Sequence, residues 1–159
     1  MTNKKNSFSS EVEKAFTNNQ YPQNARLVHA FIGHYGDLVS KAFSGKHWKD
    51  LEQDDILAYA DELHMFTDEA FVYFLPAFLL DINTKNAGIQ PSIYYQLIPP
   101  VESEKKIFFD QRMKLFTLSQ RKVILRFIKH FLQENIDIQK THRGAETQKY
   151  WEQMIEGTN

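Results

Sequence analysis

Residues 70–80 (Ala-Phe-Val-Tyr-Phe-Leu-Pro-Ala-Phe-Leu-Leu) form an unbroken apolar run. Thr67 stands before it as a capping residue, and Asp68 and Glu69 fill the first turn, where the helix dipole favours carboxylates. The run therefore reads as a helix that is apolar around its whole circumference, and such a helix is stable only when other elements cover every side of it. A bilayer span needs about 20 apolar residues, so no membrane span is expected and the run is assigned to a protein core. Pro76, with no N–H to donate, is expected to kink or split the helix.

The covering elements also follow helical spacing, and two-residue alternation is hard to find. Ser10 and Glu13 make a capping-box pattern ahead of Val12, Ala15 and Phe16, which share a face; Asn18, Asn19 and Pro22 close that helix. Asp37 is expected to cap a short helix carrying Leu38, Val39, Ala42 and Phe43, ended by Gly45. Residues 50–65 read as one acidic amphipathic helix with Ile56, Leu57, Ala60 and Leu63 on its apolar face. Residues 83–100 read as loop, with a short helix through Tyr94, Tyr95 and Leu97. Helices follow over about 104–115, over 118–134 behind a Thr117–Gln120 capping box, and over about 144–155. With 13 Phe, 7 Tyr and 2 Trp in 159 residues, core material is ample. The expectation is an all-α, single-domain compact bundle of about six to eight helices spanning 10–156, with a buried, Pro-kinked central helix. Residues 1–9 are expected to be a flexible tail.

Charge is unevenly placed. Residues 50–84 hold nine acids (Asp50, Glu52, Asp54, Asp55, Asp61, Glu62, Asp68, Glu69, Asp81) and no Lys or Arg. Residues 104–143 hold ten bases against Glu104, Asp110, Glu134 and Asp137. Either the two stretches neutralise each other inside the fold, or the acidic one is a recognition face for a complementary partner. The net charge of -1 supplies no global field for nucleic acid or anionic membrane.

Few chemistries find support. The glycines form no phosphate loop, and no Ser sits in a Gly-x-Ser-x-Gly elbow. With no Cys there is no thiol nucleophile, and the chain fits a reducing compartment. Asp61 and His64 share a helical face, but one pair makes no metal site, so neither a metal nor a cofactor is expected. Asp54-Asp55 and Asp61-Glu62 point in divergent directions from a helix and read as a solvated face rather than an acid/base dyad. Lys122, Arg126 and Lys129, with Arg121 nearby, line one side of a helix, a weak nucleic-acid reading without a matching motif. Tyr94, Tyr95 and Trp151 are either core residues or exposed anchors for a partner.

Three segments carry a family resemblance: Phe43-Ser44-Gly45-Lys46-His47-Trp48; residues 63–79, with Tyr73-Phe74-Leu75-Pro76-Ala77-Phe78-Leu79 at their heart; and Leu115-Phe116-Thr117-Leu118-Ser119-Gln120-Arg121. They resemble a family of small uncharacterised bacterial proteins, a domain of unknown function marked by a Gly-Lys-x-Trp step, a Tyr-x-Leu-Pro-Ala-aromatic-Leu helix and a Leu-Thr-x-x-Gln helix start. The resemblance covers the chain from about Val12 onward. It implies a single helical domain of bacterial origin and no established activity.

The functional expectation is a cytoplasmic protein-binding module. Its most concrete form is a bacterial immunity protein or antitoxin that covers a toxin's active surface with an acidic face. Asp54, Asp55, Asp61, Glu62, Tyr94 and Tyr95 are the candidate partner-binding residues. The alternative is an enzyme or small-ligand binder with a pocket between helices, drawing on Asp61 and His64.

Overall fold

Thr67 starts the central helix, accepting from Ala70 N–H at its Oγ1 (3.4 Å) and from Phe71 N–H at its carbonyl (2.8 Å). In the computed structural model, which describes residues 4–23, 26–29, 33–81 and 87–157, this helix, α4 (Asp68–Asp81), runs unsplit through Pro76. A proline deprives the carbonyl four residues back of its helical donor, here that of Val72. Asn19 replaces it, donating from Nδ2 to the Val72 carbonyl at 3.0 Å. Gln120 in turn holds Asn19, donating from Nε2 to Asn19 Oδ1 at 2.7 Å and to the Ala15 carbonyl at 3.2 Å. The break expected at Pro76 is thus bridged by a side chain from another part of the chain.

The other helices are α1 (Lys4–Phe16), α2 (His34–Phe43), α3 (Gln53–Tyr59), α5 (Gln90–Gln96), α6 (Ser103–Lys114), α7 (Leu118–Glu134), α8 (Ile136–Gln139) and α9 (His142–Glu156), of which α1, α3 and α6 pack directly on α4 while α8 lies against α7 and α9. Among the described residues there is no strand, and Val28 and Phe66 form an isolated bridge. The all-α expectation holds. The capping box of α7 is complete, with Thr117 Oγ1 accepting from Gln120 N and Gln120 Oε1 accepting from Thr117 N at 3.0 Å. Two other starts differ from expectation. α1 begins at Lys4, so Ser10 lies inside it, and α2 begins after Gly33, whose φ of 71° suits glycine, so Asp37 falls within its first turn. Residues 1–3 of the expected tail and 83–86 of the expected loop lie outside the described residues.

The stretch expected as one helix over 50–65 is divided. A 3-10 turn (Trp48–Asp50) precedes α3, and α3 gives way after Tyr59 to a 3-10 segment, Ala60–Met65. Three residues per turn align Ala60, Leu63 and Phe66, all of which are buried, and leave Asp61 and His64 outside. Leu57, expected on the apolar face, is exposed instead.

Aromatic rings tie these elements to α4. Phe43 meets Phe66 at 5.0 Å, Phe74 at 5.2 Å and Tyr59 at 5.7 Å between ring centroids. On the other flank α7 packs between α1 and α9, and Trp151 donates from Nε1 to the Leu97 carbonyl at 2.9 Å.

Phe127→Ala is expected to cost about 3–5 kcal/mol in urea unfolding, since its ring is buried in the α7 stripe. Asn19→Ala is expected to cost about 1–3 kcal/mol by orphaning a carbonyl inside the fold. In a Pro76→Ala background the helix supplies its own N–H, so the Asn19→Ala cost should shrink there; equal costs in both backgrounds would refute the bridging role.

Candidate protein-interaction surface

α3 and the 3-10 segment place Asp54, Leu57, Ala58 and Asp61 along one exposed stripe, at steps of three and four residues. Glu62, half-buried, sits beside it. Two flanking helices hold these carboxylates. Ser92 of α5 donates its hydroxyl to Asp61 Oδ1, and Tyr35 of α2 donates its hydroxyl to Glu62 Oε1 at 2.9 Å. The hydrogen bond to Glu62 raises the Tyr35 phenol above its ordinary range. Both flanking helices add apolar surface on the residue three positions further along, Leu38 in α2 and Tyr95 in α5. The apolar members range from 40% exposed at Leu57 to 60% at Tyr95, with Tyr35 and Leu38 between.

The candidate residues therefore divide. Asp54, Asp61, Glu62 and Tyr95 fall on this surface. Asp55 does not present a free charge, because Lys46 Nζ lies 2.7 Å from its Oδ2 and the pair joins α3 to the turn after α2. That bond raises the Lys46 ammonium above its ordinary range. Tyr94 is no exposed anchor: it is fully buried and stacks on Phe131 at 4.4 Å, because one helical step from the exposed Tyr95 turns a side chain into the core. Trp151 is likewise core. Tyr35, Leu38, Leu57 and Ser92 are not among the residues expected here. The three-residue spacing from Asp54 to Leu57 is the available sequence signal for Leu57, and nothing local marks the others.

The acidic and basic stretches meet where Arg112 Nε lies 2.7 Å from Asp68 Oδ1. Other bases find acids elsewhere. Lys105 pairs with Glu102, Lys106 with Asp110, Arg126 with Glu11, Lys129 with Glu152 and Arg143 with Glu146. Arg121 donates to the Met154 and Lys114 carbonyls. The basic side of α7 is thus largely engaged within the molecule. Asp54, Asp61 and Glu62 have no Lys or Arg within 4.0 Å among the described residues.

Asp61 and His64 form no pocket pair. His64 Nδ1 bonds the Asp61 backbone carbonyl at 2.9 Å, while the Asp61 carboxylate turns to Ser92. A cleft of about 660 Å³ lies elsewhere, between the 99–101 turn and α9, lined by Lys106, Arg143, Lys149 and Tyr150 among others. Among the described residues no three His, Asp or Glu side chains gather as a metal site would require, and no helix is long and apolar enough to cross a membrane.

A family model matches residues 4–155, and the chain belongs to that family, the Family of unknown function (DUF6714). No curated protein matches the chain. No solved structure matches it either.

Away from the acidic surface, Asp110 accepts from Tyr150 Oη and from Lys106 Nζ, each at 2.8 Å. Burial raises the Asp110 carboxyl, and the two donors outweigh it, leaving it below its ordinary range; burial and Asp110 raise the Tyr150 phenol. A carboxyl lowered on folding stabilises above its unfolded value and loses that contribution as pH falls through the folded one. Stability should therefore decline below about pH 4, and Asp110→Asn should flatten part of that decline in urea unfolding measured from pH 7 downward.

Proposed function

We propose that this chain is a cytoplasmic protein-binding module whose acidic and apolar surface covers a basic patch on another protein. In its most concrete form it is a bacterial immunity protein or antitoxin occupying the active surface of a toxin. The observation that carries this reading is the way Asp61 and Glu62 are held. Their partners are hydroxyls, from Ser92 and Tyr35. A hydroxyl orients a carboxylate without cancelling its charge, whereas a Lys or Arg of the same chain would do both. Oriented carboxylates present less ordering cost to an incoming Arg or Lys. Leu57, Leu38 and Tyr95 supply apolar area for the centre of a contact, where aromatic anchors contribute most. Clustered negative charge also speeds encounter with a basic surface. The alternative, an enzyme or small-ligand binder, draws on the cleft beside α9.

The test is an Asp54→Lys, Asp61→Lys variant. Its thermal melt should correspond to within about 0.5 kcal/mol of wild type, because exposed charges contribute little to folding. Co-expressed with a candidate toxin, wild type should restore growth and the variant should not. Association measured with that toxin should slow about tenfold or more at low salt, with the gap narrowing as salt screens the charges. An unchanged association rate would contradict the acidic-surface reading and put the cleft alternative ahead.

A further inference from the structure

α6 is joined to the body along one side only. Arg112 reaches Asp68 and the Phe66 carbonyl and lies over the Phe71 ring, Met113 is buried, and Phe109 packs against Tyr150. Its opposite side is Glu104, Ile107, Phe108 and Gln111, continued by Lys114 and Leu115 at steps of three and four residues. On a water-facing stripe these apolar residues are out of place: Phe108 is 70% exposed, Ile107 57% and Leu115 50%, with Val101 at 76% just before the helix. The stripe is also charged at its two ends in opposite sense. Glu104 near the N-terminus and Lys114 at the C-terminus have no ion-pair partner within 4.0 Å among the described residues.

The geometry points to a second copy of this chain as the occupant of the α6 face, docked antiparallel about a twofold axis. In that arrangement each layer joins residues whose numbers share a constant sum. Setting Glu104 opposite Lys114 of the second copy also sets Ile107 opposite Gln111 of the second copy, with both Phe108 rings near the axis. The charge pair then occurs twice, once at each end, as an isologous interface requires. A parallel arrangement would place like charges together at both ends. The helix dipoles also oppose one another favourably only in the antiparallel sense. One helix from each copy covers less than the roughly 1,200–2,000 Å² of a tight interface, so the dimer is weak and reversible. This inference is independent of the acidic surface, which lies on α3 and its neighbours.

Sedimentation equilibrium of the full chain from about 10 μM to about 1 mM should show a concentration-dependent monomer–dimer equilibrium. Phe108→Glu and Ile107→Lys should each remain monomeric throughout, with melts unaltered because both positions are exposed. Glu104→Lys should weaken association on the order of tenfold by replacing two attractions with two repulsions. Adding Lys114→Glu to it should return association to within about threefold of wild type. A monomeric wild type, a dimer that survives Phe108→Glu, or a charge exchange that fails to rescue would each overturn the inference.

Discussion

The backbone carbonyl of Val72 is the point on which the packing turns. Most of α4 is buried and Val72 itself is half-buried, so a Val72 carbonyl left without the helical N–H that Pro76 removes is destabilising. Asn19 supplies the missing donor, and Asn19 is itself fixed by Gln120, the closing residue of the α7 capping box. One chain of hydrogen bonds thereby specifies where α1 ends, where α7 begins and how both lie against the central helix. Phe16, Phe71 and Phe116 then fill the space around that junction, with ring centroids 6.2–6.4 Å apart.

That arrangement also decides where charge is neutralised. With α7 between α1 and α9, Arg126 meets Glu11 and Lys129 meets Glu152. These bases of α7 are thus committed to their helical neighbours. The acidic 3-10 segment lies against α5 and reaches α2, which bring hydroxyls to it in place of cations. The charges of Asp54, Asp61 and Glu62 therefore remain without a cation of the chain beside them among the described residues, whereas Asp55 and Asp68 of the same acidic stretch are paired with Lys46 and Arg112.

Local signals are legible in the sequence and distant ones are not. The Thr117–Gln120 box and the Thr67 start depend on contacts within a few residues, and each has the form expected of it; the apolar run over 70–80 marks its own helix, which distant elements then bury except at the half-buried Val72 and Leu80. The bridging of Pro76 depends on Asn19, 53 positions from the Val72 carbonyl it satisfies, which no local pattern reveals. The change from α to 3-10 after Tyr59 follows a three-residue spacing of Ala60, Leu63 and Phe66 that an α-helical reading absorbs with little penalty. Within α3 itself Ile56 takes the buried position and the adjacent Leu57 is exposed, beside Asp54. Tyr94 and Tyr95 show a related ambiguity: adjacent helical residues cannot both face a partner, and only packing against Phe131 selects which one is core. The flanking hydroxyls of Tyr35 and Ser92 become meaningful only once three elements are assembled.

The central claim is that the fold leaves the Asp54, Asp61 and Glu62 charges uncompensated, and the most direct measurement needs no partner. Urea unfolding of an Asp54→Asn, Asp61→Asn variant at low ionic strength compares the charged surface with a neutral one of nearly the same shape, in which the amide oxygen at position 61 would still accept from Ser92. Uncompensated charges predict a free energy equal to wild type within about 0.5 kcal/mol, or slightly higher through relief of repulsion. A loss of about 2 kcal/mol or more would mean that these carboxylates are paired within the molecule, and would contradict the account.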